Sequence, residues 1–243
     1  MKKSYTILGI IAILVLIIYY MMPEKRFSEN VFPLGEGAKV SAYDDNSAGG
    51  TSLVRFEASD SLAKFQCALS VGEKTPAWCG LVFDFDPNRE KNFHNWTFVD
   101  TIHLELEASG TDEINVKIWT YDPDVTTLER PETFRLLLKE VPVKSGLNKL
   151  DVPFEQFYIP DFWYDDVGVK RSLNRPHHER VARIEISSGW KQPRGKNFVV
   201  NVHEISATGV SNTSYRIVVF IFLGLMIVAI GRRHPVKESD EEK

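Results

Sequence analysis

The stretch from Thr101 to Tyr121, TIHLELEASGTDEINVKIWTY, decides the fold of this 243-residue chain. Apolar residues occupy every second position on both sides of a turn-like ASGTDE segment. These positions are Ile102, Leu104 and Leu106 before the turn and Ile114, Val116 and Ile118 after it. Because side chains alternate between the two faces of a strand, the pattern predicts two β-strands, each with one apolar and one wet face.

The same alternation recurs through the middle of the chain, between turns rich in Gly, Pro, Asn and Asp. Further candidate strands lie at 38–44, 51–57, 62–70, 78–86, 134–138, 148–153, 184–186 and 198–202. No segment between the termini has the pattern of an amphipathic helix. About ten short strands with one wet face predict a mainly β fold, an antiparallel β-sandwich over 38–208.

Two uncharged apolar runs flank this middle region, one at 5–22 and one at 215–231 apart from Arg216. The first is long enough to cross the hydrocarbon core of a bilayer, because a helix rises about 1.5 Å per residue and that core is roughly 30 Å thick. The second run crosses the bilayer if Tyr215 lies at the membrane–water interface and Arg216 extends its guanidinium toward the water. We therefore expect an N-terminal and a C-terminal transmembrane helix.

The basic residues next to these runs predict their orientation. Lys2 and Lys3 precede the first run, and Arg232 and Arg233 follow the second. A cleaved signal peptide is the alternative for the first run, but residues 19–23 supply no small-x-small cleavage site. Positive-inside placement then predicts a two-pass protein of the inner (plasma) membrane, with cytoplasmic termini and an extracytoplasmic middle. The predicted segments are a cytoplasmic N-terminus 1–4, helix 5–22, connector 23–37, domain 38–208, connector 209–214, helix 215–231 and cytoplasmic tail 232–243.

The two cysteines, Cys67 and Cys79, fall on the apolar faces of two successive candidate strands. Folding those strands into one hairpin about Glu73 places the cysteines opposite each other. The same register aligns the apolar pairs Phe65–Leu81 and Ala63–Phe83. The sequence thus predicts a hairpin disulfide, which an oxidising compartment would preserve, with two buried free thiols as the alternative.

Outward-facing residues of the strands are the first candidates for a binding site. Lys117, Trp119 and Tyr121 alternate with the apolar set of one strand, and Arg183 holds an outward position on another. Aromatic rings that stack on sugar faces, flanked by polar groups, are typical of a carbohydrate site. The alternative is a solvated sheet face.

Two loops supply further candidates. Trp163 and Tyr164, within DFWYDD, form either the rim of a binding site or aromatic packing over the end of the core. Asp44 and Asp45 precede a Gly-Gly pair, and an oxygen-rich turn of this kind suits a structural calcium ion. We predict no other cofactor.

Composition and motifs argue against two functional classes. A net charge of -4 without a concentrated basic face disfavours nucleic acid as a partner. The sequence contains no GxSxG, Gly-rich phosphate loop or HExxH motif. We therefore expect a protein that is not an enzyme.

Five segments resemble a known group of proteins in their order and spacing. They are AYDDNSAGGTSLV (42–54), WCGLVFDF (78–85), NWTFVDTIHLELEAS (95–109), NKLDVPFEQF (148–157) and VARIEISSGW (181–190). They resemble carbohydrate-binding modules with the galactose-binding jelly-roll fold, of family 11 and of the complex I intermediate-associated type. The resemblance implies a jelly roll that recognises a glycan.

Two terminal spans around such a domain also resemble the sensory regions of bacterial membrane receptors. No kinase or cyclase module follows the second span, so this resemblance implies a report to a separate signalling partner. The sequence therefore predicts an extracytoplasmic binding or sensory domain. The alternative function is a structural or protein-interaction scaffold of the cell envelope that binds no small ligand.

Overall fold

The computed structural model describes residues 2–21, 26–72, 74–211 and 213–231. These described residues divide into two compact units, one from the ranges 1–26 and 210–243 and the other from 27–209. The predictions that concern Glu73, the start of the first connector and the cytoplasmic tail lie outside the described residues.

The first unit contains two helices, α1 (Lys2–Met21) and α3 (Thr213–Gly231), which contact each other. A third, short helix, α2 (Asp161–Val167), belongs to the second unit. Among the described helices, α3 is long and apolar enough to cross a membrane, whereas the apolar part of α1, Tyr5–Met21, is shorter than such a span. One of the two predicted spans is therefore supported by length and composition, and the two-pass topology stays a prediction.

The second unit is an antiparallel sandwich of two sheets, as predicted. Sheet A has the order β3-β4-β11-β6-β9, with β1 also paired to β11, and sheet B has the order β2-β5-β10-β7-β8. The bounds are β1 Arg26–Phe32, β2 Lys39–Asp44, β3 Leu53–Ser59, β4 Leu62–Ala68, β5 Cys79–Asp84, β6 Val99–Ser109, β7 Glu113–Thr120, β8 Arg135–Pro142, β9 Gly146–Pro153, β10 Val181–Ser188 and β11 Asn197–Val210.

The alternating residues of the strands form the core between the sheets. The apolar sets of β6 and β7 are buried there, which confirms the inward parity of both strands. The two strands belong to different sheets, and the turn after β6 carries the chain from sheet A to sheet B. Gly110 in that turn has a φ of +77°, and a Cβ there would lie 2.8 Å from the Asn197 carbonyl oxygen, so the turn requires glycine.

One strand lies where the sequence predicted a connector. Residues 26–32 of the predicted connector 23–37 form β1, and Val31 and Phe32 are buried in the core. The Glu29 carboxylate accepts a hydrogen bond from Trp96 Nε1 at 3.1 Å and contacts the His94 ring. The sequence RFSENVF does not show the alternation of a strand, because the charged Glu29 takes a half-buried position between Phe27 and Val31.

The predicted disulfide between Cys67 and Cys79 is confirmed, but the predicted hairpin is wrong. Cys67 lies on β4, which pairs with β3 and β11, whereas Cys79 lies on β5, which pairs with β2 and β10. The bond therefore crosses the core from one sheet to the other, with a Cα–Cα distance of 6.4 Å. Apolar sets that match side by side in a hairpin match equally well face to face in a sandwich.

Candidate functional site

The outward face of sheet B carries a row of buried and half-buried side chains, mostly polar, along its two neighbouring strands β7 and β10. In the antiparallel register, Lys117 lies beside Glu185 and Trp119 beside Arg183. We call this row the β7–β10 stripe; it consists of Asn115, Lys117, Trp119, Arg183, Glu185 and Ser187. The alternate residues of both strands are core residues, so the stripe faces away from the core.

Tyr43 of β2 reaches over this face toward the stripe. Lys117 Nζ donates a hydrogen bond to the Tyr43 hydroxyl at 3.0 Å and lies 5.5 Å from the centre of its ring. The two long side chains meet above Gly80 and Ser187, which carry little or no side chain. A Cβ on Gly80 would lie 2.4 Å from the Ile186 carbonyl oxygen, so glycine is needed for the close approach of β5 and β10.

The charged side chains of the stripe pair with one another, and two cations share one carboxylate. Arg183 Nε donates to Glu185 Oε1 at 3.0 Å, and Lys117 Nζ lies 3.8 Å from Glu185 Oε2. The Arg183 guanidinium also stacks over the Trp119 ring at 4.5 Å. This stacking and pairing hold the indole and the two cations in fixed positions.

Burial shifts the protonation of two groups on this face. Burial lowers the pKa of Lys117, with Arg183 adding to the shift and Glu185 opposing it. Burial also raises the pKa of Tyr43 well above its ordinary value, and the charge of Glu185 raises it further. Such pKa shifts on the outward side of a sheet indicate that neighbouring side chains shield these groups from water. Clusters of groups with shifted pKa values often mark functional sites.

Three buried polar atoms of the stripe have no hydrogen-bond partner among the residues that the structure describes. They are Asn115 Oδ1, Trp119 Nε1 and Ser187 Oγ. The amide nitrogen of Asn115 is satisfied, because it donates to the Ser188 carbonyl oxygen at 3.0 Å. A buried polar atom without a partner costs about 1–3 kcal/mol, so a group that reaches these three atoms would gain by bonding to them.

The structure brings three of the predicted binding residues together and separates the fourth. Lys117, Trp119 and Arg183 share the stripe. Tyr121 lies beyond the end of β7, where its ring stacks on Phe93 at 5.0 Å. Tyr121 is not part of the stripe because β7 ends at Thr120, and beyond the end of a strand the alternation no longer determines the direction of a side chain.

The second predicted pair, Trp163 and Tyr164, is buried rather than exposed. The two rings therefore do not form the exposed rim of a binding site. Trp163 Nε1 donates to the Phe134 carbonyl oxygen at 2.8 Å, and both rings pack on Leu136 and Leu138 of β8. The packing interpretation therefore holds for this loop. Tyr164 also lines a cavity of about 390 Å³ together with Phe154, Phe157 and His178, apart from the stripe.

The predicted calcium residues both have partners within the protein. Asp44 accepts hydrogen bonds from the backbone and side chain of Asn46. Asp45 is buried, and its carboxylate accepts from Ser52 and from the Trp78 backbone N–H. Among the described residues, no group of three or more His, Cys, Asp or Glu side chains is arranged to hold a metal ion. Calcium at these two residues stays a prediction.

The sequence reasoning missed a group of exposed aromatic residues next to the stripe. Trp190, Tyr158 and Phe162 are 57%, 46% and 42% exposed. Glu140 of β8 joins two of them, since Glu140 Oε1 accepts from Trp190 Nε1 at 3.1 Å and from the Tyr158 hydroxyl at 2.6 Å. The three come from three separate loop or helix segments, so no single sequence pattern marks them. We call this group the aromatic platform.

Comparison with solved structures finds carbohydrate-binding modules among the similar folds. A family 11 module of a cellulosomal cellulase of Clostridium thermocellum has 14% identity and a TM-score of 0.41, covering 78% of this chain and 91% of that one. A family 11 module of that organism, in complex with a β-1,3-1,4-mixed-linked tetrasaccharide, has 16% identity and a TM-score of 0.42, covering 78% and 92%. A family 30 module of a cellulosomal cellulase of that organism has 12% identity and a TM-score of 0.42, covering 75% and 98%.

These likenesses are too distant to carry an argument about the ligand of this chain. No protein-family model matches the sequence, and no curated protein matches it. The likeness to the complex I intermediate-associated type and to receptor sensory regions stays a prediction.

Proposed function

We propose that this protein is a membrane-anchored, extracytoplasmic carbohydrate-binding protein whose binding face is the β7–β10 stripe. The observation that carries the proposal is the set of three buried polar atoms without partners, which lie on the same outward face as Trp119 and Tyr43. Sugar hydroxyls both donate and accept, so different hydroxyls of one ligand can complement an amide oxygen, an indole N–H and a serine hydroxyl. Sugar rings also present apolar faces to aromatic side chains.

The internal pairing of charge on the stripe favours an uncharged ligand. Lys117 and Arg183 share the Glu185 carboxylate, at distances of 3.8 and 3.0 Å. A ligand carboxylate or sulfate would have to compete with that ion pairing, whereas hydroxyl groups can bind beside it. Neutral oligosaccharides are therefore the first ligands to test.

Direct binding tests the proposal. The full chain, held in lipid nanodiscs to avoid sugar-based detergents, is titrated calorimetrically with di- and tetrasaccharides of the cello, xylo, manno and galacto series. We expect at least one series to bind and to raise the melting temperature, because a ligand that binds only the folded state stabilises it. Failure of all four series would contradict the proposal and favour the envelope-scaffold alternative.

Two tryptophan variants locate the site. Trp119→Phe removes an indole N–H that has no partner, so we expect weaker binding, by about threefold to tenfold, and a nearly unchanged melting temperature. Trp163→Phe is the matched control: its indole N–H is bonded to Phe134, so its loss should destabilise the domain by about 1–3 kcal/mol and leave affinity unchanged. The opposite pattern would place the ligand near Trp163 and its adjoining cavity.

Membrane anchoring and sensing are part of the proposal. The length and composition of α3 support an anchor, and a report to a separate membrane partner rests on the receptor resemblance alone. The binding test does not depend on either.

A further inference from the structure

The aromatic platform lies at the β8 edge of sheet B. Tyr158 pairs with Leu138 through two backbone hydrogen bonds of 2.8 and 3.0 Å, so it extends the sheet beyond β8. Phe162 lies on α2, and its ring meets the Trp190 ring edge to face at 6.0 Å. The platform thus combines two nearby residues, Tyr158 and Phe162, with Trp190 from the loop after β10.

The Trp190 indole is exposed but held in place. Its Nε1 donates to Glu140, its backbone N–H donates to Glu113 Oε1 at 3.1 Å, and Phe162 supports its ring. An exposed indole contributes little to folding, and exposed apolar surface that is contiguous, as on this platform, marks binding sites more often than single exposed residues do. A fixed aromatic surface binds a ligand without the loss of side-chain freedom that a mobile ring would suffer.

The ionisation of the supporting groups favours the same arrangement. Burial and the Glu140 carboxylate raise the pKa of Tyr158 to about 12, so its hydroxyl stays a donor at neutral pH. Burial acts to raise the pKa of Glu140, but hydrogen bonds from Tyr158 and Trp190 and the charge of Lys139 outweigh it, and the net shift is downward. Glu140 is therefore a carboxylate that accepts both bonds.

The platform is continuous with the stripe. Glu140 is the cross-strand neighbour of Asn115, the first residue of the stripe, and Glu113 precedes Asn115 by two residues on the same face of β7. Residues two apart on a strand are separated by about 6.6 Å, so the distance from Asn115 to Trp119 is about 13 Å. A chain-like ligand that follows β7 therefore meets the platform at the end marked by Glu113.

We propose that the aromatic platform is an additional sugar subsite, on which Trp190 stacks against a pyranose ring of an oligosaccharide whose other units lie on the β7–β10 stripe. This inference rests on the proposed function, and it adds a requirement for ligand length. A disaccharide occupies the stripe alone, whereas a tetrasaccharide reaches both surfaces.

Calorimetric titration of the full chain in nanodiscs with the disaccharide and the tetrasaccharide of the cello, xylo, manno and galacto series tests the subsite. In the series that binds, wild type should bind the tetrasaccharide more tightly than the disaccharide. Trp190→Ala should lose about tenfold in affinity for the tetrasaccharide, the loss typical of an aromatic contact residue, and nothing for the disaccharide. Trp190→Phe should recover part of the loss, because it restores an aromatic ring without the bond to Glu140.

Leu147→Ala is the matched control, because Leu147 is a similarly exposed apolar residue on β9 of the other sheet. Its affinities for both lengths should equal those of wild type. Tetrasaccharide binding by Trp190→Ala at wild-type strength would overturn the subsite and leave the stripe standing. Binding of neither length by wild type would overturn the proposed function and the subsite together. A change of oligomeric state in Trp190→Ala at constant affinity would also overturn the subsite, in favour of a protein contact.

Discussion

Arg135 and Asp122 form a buried ion pair at the connection between β7 and β8. Arg135 Nε donates to Asp122 Oδ2 at 3.1 Å, and its guanidinium lies over the Trp163 ring at 4.7 Å. Another of its nitrogens donates to the Leu173 carbonyl oxygen, and His177 Nε2 lies 3.5 Å from Asp122. This pair therefore joins the strand connection to the loop that carries Leu173 and His177.

Removal of one partner should be strongly destabilising. Arg135→Ala leaves the Asp122 carboxylate buried without its cation, so we expect a loss of about 3–5 kcal/mol in the free energy of unfolding. Urea unfolding followed by circular dichroism of the β-sheet signal, with the full chain in micelles, measures it. The control is Arg130→Ala, which breaks an ion pair with Glu132 at 2.8 Å.

The two arginines differ in burial rather than in chemistry. The Arg135 and Asp122 side chains are 1% and 2% exposed, whereas those of Arg130 and Glu132 are 62% and 58% exposed. The control should therefore change stability by at most about 1 kcal/mol. Equal losses in the two variants would contradict the structural role assigned to the Arg135 pair.

At the scale of single residues, the sequence determines which side chains face the core but not the partners of the polar ones. Trp119 and Trp163 illustrate the difference. The alternation correctly placed Trp119 on the outward face, yet nothing near either tryptophan indicates that one indole N–H lacks a partner and the other bonds to Phe134. Hydrogen-bond partners come from distant segments, so they depend on the assembled fold.

At the scale of elements, the ten strands that were predicted are present, while their pairing was only partly predictable. An apolar residue at every second position identifies the buried face of a strand but not the strand's neighbour in the sheet. For this reason the sequence predicted β4 and β5 as one hairpin, whereas they lie in opposite sheets. β1 was missed because the charged Glu29 interrupts the apolar alternation on its half-buried side, and its sheet position depends on pairing with β11.

The disulfide between Cys67 and Cys79, which links the two sheets, should stabilise the domain. It links cysteines 12 positions apart in sequence, so its loss should lower the free energy of unfolding by roughly 3 kcal/mol through the added freedom of the unfolded chain. The measurement compares urea unfolding of the full chain after refolding with and without a phosphine reductant. A double variant, Cys67→Ala with Cys79→Ala, should show no response to the reductant.

An unchanged urea midpoint for reduced wild-type protein would contradict this stabilising role. A response of the double variant to the reductant would show that the reagent acts elsewhere. The two results separate the effect of the bond from that of the treatment.

At the scale of the whole molecule, the predicted orientation relative to the membrane depends on apolar and basic residues near the two ends of the chain. The described part of the chain contains one helix, α3, of spanning length, and the apolar part of α1 is shorter. The basic residues that predict orientation, Lys2 and Lys3 at one end and Arg232 and Arg233 at the other, have no described side chains. Orientation therefore still rests on the positive-inside rule.

Membrane-impermeant maleimide labelling of single-cysteine variants in intact cells tests this topology. In a Cys67→Ala, Cys79→Ala background, Ser145→Cys lies in the exposed β8–β9 connection, whereas Ser4→Cys and Ser239→Cys lie near the two ends. Because both basic clusters should stay in the cytoplasm, we expect labelling of Ser145→Cys alone, and of all three variants after permeabilisation. Labelling of Ser4→Cys or Ser239→Cys in intact cells would contradict the two-pass arrangement. Absence of the Ser4→Cys label from the mature protein even after permeabilisation would identify the first run as a cleaved signal peptide, and α3 would then be the anchor.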